Sequence, residues 1–403
     1  MMEVVVKNLH DIVFVFLALG LLAMSLKSLI GGFSFLSYFR SFTASLTTSD
    51  SSPHVSILIP VRGVDEGLKE NIEAILDQEY HSFEVTVICD EESDAAFDEL
   101  SDLIATKKIS VKITDRVEGQ SGKITKLISG VSSLSSVAEV VVFADSDARP
   151  GRLWLRSLVD ALDGENIGAA TGYRWFFSSS SSIATEIRSS WNASVASVLG
   201  ADPKKNFCWG GSTAIRRDRL VSLDIVNKWR GALSDDYVMM KAIRDAGLGI
   251  AFVPTAMTAS IENCDFRGLM EFTTRQMKIT RVYAPSFWIP ALIGSAIHCL
   301  VVIWSFAILL FSSDEIIRVF TILTLSLVWG FSVGKAGLRM SAMEIVMPKH
   351  FERLLSQRKW QMLLWSVTPF IFLYNCGAAL FSREIVWRGI RYRMISPNET
   401  EVL

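Results

Sequence analysis

Three acidic clusters, lying at residues 89–94, 143–147 and 234–237, constrain the fold of this chain more than any other feature. The first two directly follow short apolar runs of β type. The carboxyl ends of such strands form the ligand-binding edge of an open α/β sheet. All three clusters lie between hydrophobic stretches long enough to span a membrane. The pattern predicts an α/β domain that works at a membrane, with its acidic residues at the edge of the sheet.

The composition indicates a soluble domain joined to membrane segments. Of the 403 residues 50% are hydrophobic, and the mean hydropathy is +0.34, which is too apolar for an ordinary soluble enzyme and too charged for a pure transporter. The net charge is −2, and no basic patch interleaved with aromatics appears, so a nucleic-acid partner is not expected. The five cysteines show no metal-ligand spacing, which indicates a reduced, cytosolic environment.

Four hydrophobic stretches are predicted to be membrane spans, at residues 12–36, 287–311, 316–333 and 360–381. The first has no cleavage site of small residues and is predicted to be an uncleaved anchor. The positive-inside tendency places the segment between the last two stretches in the cytoplasm, because it contains Lys335, Arg339, Lys349, Arg353, Arg358 and Lys359. Two spans separate this segment from the large domain, which is therefore predicted to be cytoplasmic as well.

The basic tail conflicts with a simple count of spans. Its arginines favour the cytoplasm, yet three full spans after the large domain would place the tail outside. Either residues 360–381, with Pro369 in the middle, re-enter the membrane without crossing it, or the tendency fails here. The predicted organisation is an anchor, a large domain, a transmembrane region and a basic tail, at residues 1–40, 53–282, 283–382 and 383–403.

Strands and helices alternate in the large domain. The apolar runs predicted to be strands are 54–61, 85–89, 110–114, 140–144 and 168–175. Helices with one apolar face are predicted between them, for example at 124–134. This alternation predicts an α/β fold, a mainly parallel sheet covered on both sides. Residues 41–52, which are rich in Ser and Thr, are predicted to be the linker leaving the membrane.

Asp145 and Asp147 are the candidate metal ligands. One residue separates them at the end of a predicted strand, so one or both can reach a divalent cation while Ser146 turns away. Carboxylate oxygens suit Mg²⁺ or Mn²⁺, and such a metal would stabilise a diphosphate as a leaving group. The alternative is a pair of solvated turn aspartates.

The other acidic clusters supply candidates for a nucleoside contact and for a base. Asp90, with Glu91 and Asp94 nearby, can accept hydrogen bonds from a base ring or ribose hydroxyls; capping of the next helix is the alternative. Asp235 and Asp236 begin a predicted helix, where the macrodipole favours the ionised form. A carboxylate there could take a proton from an acceptor hydroxyl, and capping alone is again the alternative.

Three basic residues are candidates for holding phosphates. Arg275 and Lys278 lie at i and i+3 on one side of a predicted helix just before the second hydrophobic stretch, and they could hold a diphosphate. Lys123, after Gly119 and Gly122, could approach a phosphate too. The alternatives are contact with anionic lipid headgroups for the first two and an ordinary surface lysine for the third.

Six motifs stand out along the chain: residues 60–65, Asn71, residues 122–127, residues 145–147, residues 235–237 with 241–243, and residues 387–392. Together they resemble the motifs of membrane glycosyltransferases of families 2 and 21, closest to the ceramide glucosyltransferases. The resemblance covers nearly the whole chain. It implies a GT-A-type nucleotide-sugar fold, a UDP-sugar donor, Mg²⁺ or Mn²⁺, and a lipid acceptor presented from the cytosolic leaflet.

The resemblance also implies roles for individual residues. It assigns the nucleoside contact to Asp90 or its neighbours. It assigns the metal to Asp145 and Asp147, and the role of catalytic base to Asp236. Lys278 and Ile279 depart from the family, which usually has Arg and Trp there. Positive charge is kept at the first position, but the aromatic wall expected near the acceptor is lost at the second.

These observations predict an inverting, metal-dependent glycosyltransferase that passes a hexose, with glucose as the first candidate, from UDP to a hydroxyl of a membrane lipid. Ceramide is the first candidate acceptor, and diacylglycerol or a hopanoid comes next. A processive polysaccharide synthase is the alternative enzyme, although such synthases usually have more spans and a complete Gln-x-x-Arg-Trp motif. A channel or transporter is disfavoured because the hydrophobic stretches contain almost no charge.

Overall fold

The computed structural model describes residues 2–45, 52–91, 93–115, 117, 119–180 and 182–403, with side chains described from Leu9 onward. Residues 46–51 of the predicted linker and Glu92 of the first acidic cluster lie outside these residues. The helices are α1 (Met2–Ala44), α2 (Leu68–Leu76), α3 (Ala96–Glu99), α4 (Ser101–Ala105), α5 (Gly122–Ser132), α6 (Trp154–Asp160), α7 (Ile183–Ala196), α8 (Arg217–Ser222), α9 (Ile225–Trp229), α10 (Asp235–Asp245), α11 (Phe266–Tyr283), α12 (Pro285–Phe311), α13 (Glu315–Val346), α14 (Phe351–Leu364) and α15 (Thr368–Phe381). The strands are β1 (Val55–Pro60), β2 (Phe83–Cys89), β3 (Ser110–Ile113), β4 (Val140–Ala144), β5 (Ile167–Thr171), β6 (Arg174–Phe177), β7 (Ser212–Arg216), β8 (Gly249–Phe252), β9 (Thr258–Ile261), β10 (Glu384–Trp387), β11 (Ile390–Ser396) and β12 (Glu399–Val402).

A seven-stranded sheet forms the centre of the large domain, in the order β3-β2-β1-β4-β7-β5-β8. Among these described strands, β7 alone runs antiparallel to its neighbours, and the pairs on either side of β1 are parallel. The predicted mainly parallel α/β sheet is confirmed. Because β1, β2 and β4 are adjacent and parallel, the residues that follow Pro60, Cys89 and Ala144 share one edge of the sheet.

The apolar strands are buried on both faces, as parallel strands usually are. Successive side chains of β1 point to opposite faces: Leu58 lies in one buried cluster with Leu127 of α5, whereas Ile57 lies in the other with Ile72 and Ile75 of α2. The sheet is therefore covered on both sides, and its carboxyl edge is left for the polar residues.

The predicted strand at 168–175 is in fact two strands, and this prediction was wrong. The chain breaks after β5 at Gly172, where a Cβ atom would collide with the backbone carbonyl of Ala256. The second strand, β6, leaves the main sheet and pairs with β9 in a separate two-stranded parallel sheet. This break places Arg174, the first residue of β6, beside the acidic edge of the main sheet.

In the described part of the chain, three helices are long and apolar enough to cross a membrane: α1, α12 and α13. Helices α1 and α13 run side by side in the same direction, since Phe14 contacts Phe320 near their beginnings and Ser28 contacts Lys335 further along. The end of α1 packs on the domain core, where Phe39 contacts Phe252. The ends of α1 and α13 thus belong to the hydrophobic core of the domain, whereas the earlier parts of these helices pack with α12 in a separate cluster.

Helix α13 is longer than the predicted span at 316–333. Lys335 and Arg339, which were predicted to lie in a cytoplasmic loop, are helical, and Arg339 is buried. The longer helix brings two positive charges into the packed region between the membrane helices and the large domain.

The last predicted span, 360–381, is not one helix. Helices α14 and α15 form a pair bent by 69°, with Pro369 in the first turn of α15, where proline is well tolerated. The following strands β10, β11 and β12 form an antiparallel sheet, and its Tyr392 and Met394 pack with Leu233 of the large domain. Because the tail rests on the domain, both lie on one side of the membrane. With α12 and α13 as two crossings, this arrangement favours re-entrance for the bent pair.

Candidate active site

A polar cleft with a volume of about 380 Å³ opens at the edge of the sheet where β1 and β4 end. Its walls come from the segments after these strands, the beginnings of α5 and α10, the middle of α11 and the turn between β10 and β11. Of the residues predicted to form a site, the cleft brings together Lys123, Asp145, Asp147, Asp235, Asp236 and Arg275.

Arg174, which the sequence did not single out, joins the two aspartates of the predicted metal pair. Its Nη2 lies 2.9 Å from Asp145 Oδ2 and its Nη1 lies 2.9 Å from Asp147 Oδ2. The guanidinium also stacks 4.6 Å from the centre of the Trp209 ring. Burial acts against the charge, but the two carboxylates outweigh burial and raise the pKa of Arg174. The sequence signal that could have indicated this role is a single arginine at the start of the apolar run 174–177.

Lys123 connects the second and third acidic clusters. Its Nζ lies 2.9 Å from Asp145 Oδ1 and 3.2 Å from Asp235 Oδ1. Burial opposes this charge too, yet the surrounding carboxylates prevail and raise the pKa of the lysine. The approach requires glycine at position 210, because a Cβ atom there would collide with the Asp235 carboxylate.

The carboxyl groups of the cleft differ in their pKa values. Burial raises the pKa of Asp147 to about 6, and it raises that of Asp235 to about 6 as well. For Asp145, burial is opposed by both Lys123 and Arg174, which together lower its pKa. Asp145 therefore stays ionised at any pH near neutrality, whereas the other two lose their charge as the pH falls through about 6.

The aspartate pair fits one part of a metal site. Asp147 Oδ1 is buried and has no hydrogen-bond partner among the described residues. Across that part of the chain, His, Cys, Asp and Glu residues form no cluster of three or more that could hold a metal ion. Mg²⁺ is commonly held through one or two carboxylates, with substrate phosphates and waters completing the shell. Asp147 Oδ1 could be such a ligand, while the other three carboxylate oxygens of the pair face Lys123 and Arg174.

Asp236 lies where the polar cleft meets a second cavity. Its Oδ1 accepts hydrogen bonds from the backbone N–H of Tyr237, at 2.8 Å, and from the Ser234 hydroxyl. Ser234 is itself the capping residue of α10, so capping does not account for both aspartates. The second cavity has a volume of about 670 Å³ and lies among α1, α12, α13, α15 and the large domain. Asp236 lines both spaces, whereas Asp235 lines only the cleft.

The first acidic cluster does not line the cleft. Asp90 forms an ion pair of 2.5 Å with Lys126, and the Asp94 carboxylate accepts the backbone N–H of Gly63 at 3.0 Å. Glu91 is exposed. Asp94 also accepts the N–H of Ala96, the first residue of α3, although the capping position of that helix is Ala95. Contacts of these three acids with a nucleoside stay a prediction.

Lys278 and Ile279 hold the C-terminal sheet. Lys278 Nζ donates to the backbone carbonyl of Glu384 at 2.7 Å, and its side chain does not line the cleft. Ile279 packs in a buried cluster with Ile385 and Met394. Both residues that depart from the family pattern thus contact the tail. Ile279 also lines the cleft, together with Arg275.

The turn between β10 and β11 covers the cleft, which the sequence did not predict. Arg388 and Gly389 both have positive φ angles, of 50° and 77°, as in two-residue hairpin turns of type I′. Arg388 forms an ion pair of 2.5 Å with Asp65, and the Tyr392 hydroxyl accepts the backbone N–H of Gly122 at 3.4 Å. Trp387 lies 5.8 Å from the Arg275 guanidinium. The resemblance had marked residues 387–392 without giving them a role.

The fold is an α/β domain with a mainly parallel sheet, joined to helices that are long and apolar enough to cross a membrane. The sequence matches glycosyl transferase family 21 over residues 14–399, and the chain belongs to this family.

Comparison with solved structures gives two further similarities. A mannosyltransferase from Pyrobaculum calidifontis, PcManGT, solved with GDP-Man and Mn²⁺, is 15% identical, covers 91% of this chain and 99% of its own, and has a TM-score of 0.49. TarS residues 1–349 from S. aureus are 12% identical, cover 86% of this chain and 98% of their own, and have a TM-score of 0.37. A search of curated proteins finds no match.

Proposed function

We propose that this protein is an inverting, metal-dependent glycosyltransferase that moves a hexose, with glucose as the first candidate, from a UDP-sugar to a hydroxyl of a membrane lipid. The observation that carries the proposal is the position of Asp236, whose side chain lines both the polar cleft and the cavity among the membrane helices. A donor in the cleft and a lipid in the cavity would meet at this carboxylate. Ceramide is the first candidate acceptor, followed by diacylglycerol or a hopanoid.

In the proposed reaction Asp236 is the base. It takes the proton of the lipid hydroxyl while that oxygen bonds to the anomeric carbon, and the bond from this carbon to the diphosphate breaks, which releases UDP and inverts the anomeric centre. Both hydrogen bonds that the described residues give to Asp236 fall on Oδ1. Oδ2 is therefore the oxygen that we assign to the proton.

Basic side chains and the aspartate pair would hold the diphosphate. A cation on Asp145 and Asp147 would neutralise the leaving group. The cleft is also lined by Lys123, Arg174, Arg275 and Arg388, and arginine suits phosphate because its planar fork can donate two hydrogen bonds at once. The nucleoside would lie toward the ends of β1 and β2, near Asp90. The positive-inside argument and the position of the tail support a cytoplasmic catalytic domain.

The reaction should depend on pH with an acid limb near pH 6. Asp147 must be ionised to hold a cation, and burial raises its pKa to about 6, so the carboxylate gains its charge as the pH rises through this value. We expect kcat/KM for the donor to fall below about pH 6, and higher metal concentration to move the limb to lower pH because metal and proton compete. A profile that is flat across this region at both metal concentrations would contradict this expectation.

Arg388→Ala should weaken donor binding. The variant removes a positive charge from the cleft together with the ion pair to Asp65, and a hydrogen bond to a charged group contributes about 1.5–3 kcal/mol. We expect the KM for the UDP-sugar to rise by about tenfold or more. Arg391→Ala is the matched control, since this arginine of the same hairpin is 64% exposed and pairs with Glu384. An unchanged KM in Arg388→Ala would remove the hairpin from the donor site.

The proposed function is tested by following labelled sugar. The purified full-length protein, reconstituted in vesicles, is given a panel of UDP-sugars with ceramide, diacylglycerol or total lipid, in Mn²⁺ or in EDTA. A chloroform-soluble product that disappears with EDTA supports the proposal. A polymeric product formed without added lipid would instead establish a polysaccharide synthase, and failure to bind UDP would reject the transferase function.

A further inference from the structure

The cavity among the membrane helices contains two positive charges. Its walls are largely aromatic and aliphatic, for example Trp191, Phe287 and Phe372, as expected for a space that takes lipid. Lys335 and Arg339 of α13 also line it. These residues lie at i and i+4 of one helix, where like charges repel each other. The cavity is therefore polar in one region although its walls are mostly apolar.

Neither charge is neutralised by an acid among the described residues. Arg339 is only 4% exposed; its Nη1 lies 3.4 Å from Ser197 Oγ, its Nη2 lies 3.2 Å from Gln361 Oε1, and its Nε has no partner in the described part of the chain. Lys335 Nζ donates to Ser28 Oγ at 2.9 Å. Burial of an uncompensated cation is strongly unfavourable, so an anion at this position would stabilise the protein.

The donor does not supply that anion in the proposed reaction. Its diphosphate belongs beside Asp145 and Asp147, whereas neither Lys335 nor Arg339 lines the polar cleft. Lipids around the outside of the protein do not supply it either, because Arg339 is almost completely buried. The group that can reach both cations is one that enters the cavity itself.

We infer that the cavity selects an acceptor lipid whose head group carries an anionic group such as a phosphate, held by Lys335 and Arg339, with its free hydroxyl directed to Asp236. The inference rests on the proposed function for the role of the lipid as acceptor. Within the membrane lipids of that proposal it changes the order of acceptors, because it puts acidic lipids that carry a hydroxyl before the neutral ceramide and diacylglycerol. Serine and asparagine side chains supply further hydrogen-bonding groups in the same cavity: Ser25, Ser28, Asn192, Ser194 and Ser332.

The test compares two lipids with the same acyl chains, phosphatidylglycerol and diacylglycerol, both of which carry a hydroxyl. Full-length protein in phosphatidylcholine nanodiscs is titrated with each lipid, and bound lipid is counted by native mass spectrometry. We expect phosphatidylglycerol to bind at least about tenfold more tightly, as charge-assisted hydrogen bonds provide. Lys335→Met should lose most of this preference, and Lys335→Arg should keep it. Arg339→Gln, which retains hydrogen-bonding capacity, should lose it as well.

Arg318→Met is the matched control. This arginine is exposed at the other end of α13 and does not line the cavity, so the variant reports non-specific attraction of acidic lipid to the protein. UDP binding, measured in every variant, reports correct folding. Glycerol 3-phosphate added as a soluble competitor separates a lipid site from a site for free phosphate compounds. We expect it to displace the lipid only at much higher concentration.

The outcomes separate the inference from the proposed function. Equal binding of the two lipids by the wild type, or a preference that neither Lys335→Met nor Arg339→Gln reduces, overturns the inference. Displacement by glycerol 3-phosphate at the lipid's own concentration overturns it too. A clear preference with no sugar transfer to any lipid would retain the anionic site and reject the proposed reaction. Sugar transfer to diacylglycerol, without any preference for binding phosphatidylglycerol, would retain the proposed reaction and reject the anionic site.

Discussion

Asp236→Asn is expected to lower kcat by about 10²–10⁴-fold, the usual contribution of a general base, while UDP binding stays unchanged. The amide has the size of the carboxylate and its oxygen can still accept the hydrogen bonds from Ser234 and Tyr237. It cannot take a proton from the acceptor hydroxyl. The measurement is the initial rate of labelled glycolipid formation at saturating donor, together with the affinity for UDP.

Asp245→Asn provides the control for this loss. Asp245 is the last residue of the same helix, and its exposed carboxylate pairs with Lys241, so its replacement should leave the rate near that of the wild type. A folded Asp236→Asn variant that binds UDP and transfers sugar at the wild-type rate would exclude Asp236 as the base.

Arg174→Met is expected to destabilise the protein by about 3–5 kcal/mol, the effect of removing one partner from a buried ion pair. The side chain joins Asp145 and Asp147 at 2.9 Å each, and its loss leaves two carboxylates that are each only 19% exposed without this cation. The result should appear as a lower midpoint of chemical unfolding, followed by the near-ultraviolet circular dichroism of the purified protein without donor. We also expect the pKa of Asp145 to rise, because Arg174 contributes to its depression.

The comparison variant is Arg216→Met, which breaks an ion pair with Asp163 whose side chains are 45% and 59% exposed. Exposed pairs contribute about 0–1 kcal/mol, so this variant should unfold almost as the wild type does. Equal stability of both variants would show that Arg174 does not hold the aspartate pair together.

The central sheet could be predicted because its signals are local. Apart from Ser56 the run 55–60 is apolar, and the helices on both sides have one apolar face, so the sequence pattern indicates strands, helices and the acidic edge. The break at Gly172 could not be predicted. It depends on the close approach of the carbonyl of Ala256, which lies far along the chain. Local sequence contains no information about that contact.

The candidate site was predicted in part for the same reason. Asp145 and Asp147 follow a strand that the sequence shows directly, and Asp236 lies in the first turn of a helix that the sequence also shows. Arg174 and Arg388 come from β6 and from the C-terminal hairpin, which reach the cleft only through the tertiary fold. Their charge alone did not distinguish them from surface arginines.

The membrane region shows a similar limit. Hydropathy locates the apolar parts of α1, α12 and α13. It ends the span predicted for α13 before Lys335, because a lysine lowers the mean hydropathy of the segment. The helix continues, since Lys335 and Arg339 face a cavity within the protein. Likewise, only the packing of Tyr392 and Met394 on the large domain places the tail on the domain side of the membrane.

The most direct test of the central claim is the structure of the product. The enzyme is incubated with UDP-α-D-glucose in vesicles that contain the acceptor, and the purified glycolipid is examined by proton NMR for the coupling constant of the anomeric proton and for the carbon to which the sugar is attached. We expect a β-linked glucose on a lipid hydroxyl, which is the outcome of one inverting displacement with Asp236 as base. An α-linked product, or glucose found only in a polymer, would contradict the account.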